Sequence, residues 1–104
     1  MMTKWLLRIA LFSLVLALAL PPMAAAQSGA DTYKAKCAMC HGADGSGKAA
    51  MGTKDLGSAE IQKMSDADLT GVVTNGKGKM PAYKGKLTDA QIKDVVAYIR
   101  TLKK

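Results

Sequence analysis

Five consecutive residues, Cys37-Ala38-Met39-Cys40-His41, restrict this chain more than any other feature. They hold both cysteines and the single histidine of a 104-residue sequence. The spacing C-x-x-C-H reads as a covalent haem attachment site. Each residue type has a task. Two thiols add across two vinyl groups as thioethers, and the adjacent imidazole donates a nitrogen to the iron. On a helix, positions i and i+3 share a face, so Cys37 and Cys40 present both sulfurs along one edge of a flat macrocycle. The competing readings are weaker. A thiol–disulfide redox site expects a thioredoxin-like βαβ setting, and no such pattern is visible. A structural zinc site asks for four protein ligands, and the motif offers three residues. The expected cofactor is one haem c, covalent through Cys37 and Cys40, with His41 as an iron ligand.

Residues 1–26 differ from the rest. Lys4 and Arg8 provide a positive start, and Ile9 to Leu20 is an apolar run interrupted only by Ser13. Pro21-Pro22 and Ala24-Ala25-Ala26 follow, with the small residues of a cleavage site. This is the layout of a secretory signal peptide. As a helix the twelve-residue run would be about 18 Å long, against a hydrocarbon core of about 30 Å, so a retained membrane anchor is the poorer reading. The expected mature domain is 27–104, without stable membrane insertion. A domain of this size is marginal without a staple, and with both cysteines committed no disulfide is available. The haem is expected to supply the missing apolar surface, leaving the haem-free chain mostly unfolded.

The net charge is +7, and +5 for residues 27–104 once Lys4 and Arg8 are removed. A basic chain invites a nucleic-acid reading, but no aromatic interleaving or nucleic-acid motif supports it. An acidic protein partner or an anionic membrane surface fits better.

Along the mature chain the periodicity is helical and no convincing strand appears. A first helix is expected over 29–41, started by Ser28 or Gly29 with Asp31 in its first turn, carrying the haem motif at its end and closed by Gly42. Tyr33 is read as a packing residue. Gly42 to Gly52 is a glycine-rich loop expected to wrap the histidine side of the haem. Its Gly45-Ser46-Gly47-Lys48 stretch lacks the preceding strand and spacing of a phosphate loop. Leu56 is a candidate pocket wall. Ser58 to Met64 suggests a short turn of helix. Ser65 caps a helix from Asp66 to about Thr74, with Leu69, Val72 and Val73 on its buried face, and Asn75-Gly76 stops it. In the last helix Thr88 and Gln91 make a capping box, Leu87 and Ile92 the hydrophobic staple, and Ile92, Val95, Val96 and Ile99 the buried stripe.

Lys77-Gly78-Lys79-Met80-Pro81-Ala82-Tyr83 is the second informative stretch. Pro81 biases Met80 towards an extended conformation, from which a thioether can be aimed. Methionine often does no more than fill a core. Opposite a haem histidine it is a candidate iron ligand, because electron carriers commonly combine His with Met. Met51, in the glycine-rich loop, is the alternative. Met39 lies inside the attachment motif, and Met64 serves better as a staple residue.

Taken together, Cys37, Cys40, His41, the Met80-Pro81 pair and the final helix resemble a class I monohaem cytochrome c of the small bacterial, c6-like kind. The resemblance implies an all-α fold of three to five helices wrapped around one covalently attached haem. It also implies that Gly29 and Tyr33 on the first helix pack closely against Val95 and Tyr98 on the last. Many members have a proline after the haem motif, near the carbonyl that orients the axial histidine. Here the region is Lys48-Ala49-Ala50-Met51, with no proline; a backbone carbonyl, its residue left open, is still expected to accept the His41 Nδ1–H.

With His41 and Met80 both on the iron, no position is open to a substrate. The expected function is one-electron transport by a soluble monomeric carrier rather than an enzyme. It is expected in the periplasm, or in a thylakoid lumen if the source is photosynthetic. Lys77, Lys79, Lys84 and Lys86 flank Met80 and form either a solvated, solubilising surface or a collar that steers redox partners with acidic docking surfaces. The alternatives are a peroxidase-like enzyme, or a haem sensor or subunit, with a labile methionine.

Overall fold

Helix α1 runs over Pro22–Lys36 in the computed structural model, which describes residues 22–104. It begins earlier than expected. The alanines before Ser28 are strong helix formers, so Ser28, Gly29 and Asp31 lie within the helix instead of starting it. The positive start and apolar run expected of an export signal lie outside the described residues. At its other end α1 stops before the motif: Cys37 breaks it, and a separate short helix, α2, holds Ala38–His41. Both the Cys40 and His41 N–H groups donate to the Cys37 carbonyl, at 3.2 and 3.0 Å. Gly42 then turns the chain at φ +86°, where a side chain would be strained.

Three further helices complete the domain. The short α3 covers Ala59–Gln62, capped by Ser58. Helix α4 covers Asp66–Asn75, with the Ser65 side chain accepting from the Asp68 N–H. Helix α5 covers Asp89–Thr101, and both halves of the Thr88–Gln91 capping box are formed. A single 3-10 turn lies at Ala49–Met51. The described residues contain five helices and no strand, only two isolated β-bridges.

Helices α1 and α5 cross at Gly29. A Cβ there would collide with the Asp94 carbonyl and with Tyr98, so only glycine permits this approach. One turn on, the Tyr33 and Tyr98 rings meet with centroids 5.0 Å apart, tilted by 48°. The crossing implied by the family resemblance is present.

The core divides into two clusters. The larger joins Tyr33, Cys37, Leu56, Leu69, Val95, Val96 and Ile99, with Met64 and Tyr98 packed on it. The smaller joins Val73, Leu87 and Ile92, with Met80 and Tyr83 packed on it. The expected stripe of α5 is therefore buried throughout, shared between the two clusters. Of the α4 face, Leu69 and Val73 are buried and Val72 is half-buried. No helix among the described residues is long and apolar enough to cross a membrane.

Candidate haem site

The break at Cys37 positions the motif. Cys37 enters the larger core cluster, 8% exposed, while Cys40 and His41 are half-buried. The two thiols are free. Burial, then the neighbouring Cys40, pushes the Cys37 thiol up. Burial pushes the His41 imidazole down, so at neutral pH it is uncharged and keeps a lone pair for a metal.

The backbone around the motif is fastened by groups that lie several residues away along the chain. The Tyr33 hydroxyl donates to the Gly42 carbonyl at 2.6 Å, fixing the turn just after His41. Tyr33 is thus more than a packing ring. The Gly47 N–H donates to the His41 carbonyl at 2.8 Å. Thr53 donates through Oγ1 to the Cys40 carbonyl and accepts from the Lys48 N–H, both at 2.7 Å. Thr53 therefore pins the start of the Lys48–Gly52 loop to the end of the motif. No periodicity or turn rule marks it, since its partners lie five and thirteen residues away.

One expectation is corrected. No carbonyl of Lys48–Met51 accepts from His41. Its Nδ1 is the buried side-chain nitrogen without a hydrogen-bond partner among the described residues. The 3-10 turn at Ala49–Met51 uses two of these carbonyls within the loop. Lys48 O receives the Met51 N–H and Ala49 O receives the Gly52 N–H.

The methionines separate clearly. Met39 and Met51 are 80% and 46% exposed. Met64 packs on the larger cluster, as a staple residue should. Met80 is half-buried against Val73, Leu87 and Ile92. A reciprocal backbone pair holds its loop, Lys77 N–H to Met80 O at 3.1 Å and Met80 N–H to Lys77 O at 3.0 Å. Leu56 is buried as a wall of the larger cluster. Lys77, Lys79, Lys84 and Lys86 are all exposed around the Met80 loop.

The site thus offers two unpaired thiols three residues apart, an adjacent neutral imidazole, and a fixed thioether in a separate cluster. Residues 24–99 match the family model described as cytochrome C oxidase, cbb3-type, subunit III. The chain belongs to the cytochrome c family. It is 42% identical over 98 residues to the cytochrome c6 of Nostoc sp. strain PCC 7120, covering 90% of this chain and 85% of that one. It is 37% identical over 79 residues to the cbb3-type cytochrome c oxidase subunit FixPc of Rhizobium leguminosarum bv. viciae, covering 74% of this chain but 28% of that protein. Among solved structures it is similar to the KustC0563 c-type cytochrome, with a TM-score of 0.68 and 32% identity over 73% of this chain and 98% of that one. The chain is a class I monohaem cytochrome c, an electron carrier with a covalent c-type haem, and Cys37 and Cys40 fit the attachment motif of that group. The donor chemistry fits too: two free thiols and a neutral imidazole.

Proposed function

We propose that this chain is an exported, monomeric one-electron carrier whose iron is held between His41 and Met80. Residues 1–26 direct export and are removed, and 27–104 work as a soluble domain in the periplasm, or in a thylakoid lumen. The haem, when bound, supplies the one-electron chemistry. The chain's own residues hold it, close it off and present it. Cys37 and Cys40 would each hold the haem through a thioether, the S–H adding across a vinyl C=C. His41 would donate a nitrogen lone pair, which burial keeps unprotonated. Met80 would be the second protein ligand and would keep water and other ligands away.

The observation that carries the ligand assignment is the contrast among the methionines. Met80 alone combines partial burial, a paired loop and a following proline. Met51, the alternative, is exposed in the glycine-rich loop. With the single histidine committed to iron, no second imidazole remains for acid–base work, so the carrier reading is favoured over a peroxidase. The exposed lysines around Met80 present a positive rim to acidic partners.

The decisive experiment is an optical spectrum of the exported protein, reduced and oxidised, into the near-infrared. A weak ferric band reporting sulfur on iron, present in the wild type and lost in Met80→Ala, supports the closed site. High-spin iron with no such band would move the protein to peroxidase or sensor chemistry. A second reading has an observation of its own: the match to an oxidase-subunit model and to FixPc fits a component of a terminal oxidase. Co-migration with a membrane oxidase, and none in the free soluble fraction, would favour it.

A further inference from the structure

Tyr83 joins two segments that the ligand assignment requires to stay in register. Its ring packs on the smaller core cluster beside Met80. Its backbone is a node of the methionine loop. The N–H donates to the Val73 carbonyl at the end of α4, at 3.0 Å, and the carbonyl accepts from the Lys86 and Leu87 N–H groups at 2.9 and 3.0 Å. Its hydroxyl leaves that neighbourhood altogether. It donates to the Lys36 carbonyl at 2.9 Å, across 47 residues.

Lys36 is the last residue of α1, immediately before Cys37. Its carbonyl is available because of the helix break. In an unbroken helix the Cys40 N–H would point at Lys36 O. Here that N–H goes to Cys37 O, and Tyr83 takes the carbonyl set free. Among the described residues this is the one hydrogen bond between the 77–87 segment and the segment from α1 to His41. The other bonds of the methionine loop run to the end of α4 or within the loop. Lys86 lies 5.9 Å over the Tyr83 ring and adds a cation–π contact on its outer side.

We propose that Tyr83 is a positioning residue for Met80, its hydroxyl latching the methionine loop to the end of α1 beside Cys37. The inference rests on the proposed His41/Met80 ligation. A thioether is a neutral, weak ligand, so its hold on iron depends on how closely the loop is confined before it binds. The latch ties the loop carrying the proposed ligand Met80 to the helix end from which the attachment motif and His41 follow. Without it, the loop stays anchored to α4 through its backbone but gains freedom relative to the motif.

The test is competition by imidazole for the ferric iron of the haem-loaded protein, read as loss of the near-infrared sulfur–iron band. Tyr83→Phe keeps the ring and removes the hydroxyl. Ser65→Ala, which removes a cap at the far end of α4, reports the effect of lowered global stability alone. The expected result is apparent imidazole affinity raised roughly 3- to 10-fold in Tyr83→Phe, the factor a net hydrogen bond is worth, and unchanged in Ser65→Ala. Wild-type affinity in Tyr83→Phe, with the band present, overturns the latch and leaves Met80 ligation standing. An equal rise in both variants also overturns it, because the effect is then global. A wild type without the band overturns the ligand assignment and the latch with it.

Discussion

Tyr33 shows how a single side chain serves packing and site geometry together. Its ring is fully buried against Tyr98, and its hydroxyl holds the Gly42 carbonyl behind the haem motif. Burial, ahead of the nearby Cys37, Tyr98 and Asp44, pushes that hydroxyl from 10.0 up to about 12. The folded state therefore prefers the neutral hydroxyl, and between these two values the unfolded state binds fewer protons than the folded one. The stability Tyr33 contributes is fully present below about pH 10 and is lost as pH rises through about 12. The stability advantage of wild type over Tyr33→Phe should shrink steadily across that window in denaturant melts. An advantage independent of pH would show that the hydroxyl is not the titrating group.

Among the elements, the corner between α3 and α4 is held to α5 by one arginine. Arg100 donates from Nε to Asp66 Oδ1 at 2.9 Å, from Nη1 to the Gln62 carbonyl at 3.0 Å and from Nη2 to the Met64 carbonyl at 2.5 Å. Gln62 adds bonds to the Leu56 and Ile99 carbonyls, both at 2.9 Å. Such a fork satisfies helix-end carbonyls that would otherwise have no partner within their own helix. Arg100→Ala is expected to cost about 2–3 kcal/mol in the unfolding of the haem-bound protein. Arg100→Lys should recover little, because an ammonium cannot span three acceptors in that geometry. Full recovery by lysine would reduce the clamp to its charge alone.

At the scale of the molecule, Cys37 belongs to one core cluster and the proposed ligand Met80 packs on the other. A domain of this size without a disulfide depends on its cofactor for apolar surface. Haem-free protein, made as Cys37→Ala/Cys40→Ala, is expected to lose most of its far-ultraviolet circular dichroism and its cooperative melt. A native-like spectrum would show that the helices pack unaided. The second property of the whole molecule is its field. Lys77, Lys79, Lys84 and Lys86 are exposed around the Met80 loop in a chain of net charge +7. Electron-transfer rates with an acidic redox protein should fall steeply as salt rises and the screening length drops to about 10 Å near 0.1 M. A flat salt response would leave these lysines a solubilising role only.

How much was legible beforehand follows the range of the interactions involved. The attachment motif, the caps at Ser58, Ser65 and Thr88, the stop at Gly76 and the buried stripe of α5 all rest on contacts within about one helical turn, and sequence spacing encodes those directly. The all-α fold and the Cys37/Cys40 attachment motif were legible for the same reason: each rests on short patterns with their own chemistry. What required the tertiary structure has partners far along the chain. The break of α1 at Cys37 depends on where its carbonyl and that of Lys36 find donors. The Thr53 pin, the Arg100 clamp and the Tyr83 latch span from thirteen to 47 residues. That His41 Nδ1 has no hydrogen-bond partner among the described residues is likewise set by how distant segments are placed around it. By itself the sequence determined which residues could bind a haem and which segments are helical, because those are local properties. Only the tertiary structure decided how the histidine and methionine segments are fastened to each other, because that is set by side chains meeting across the fold.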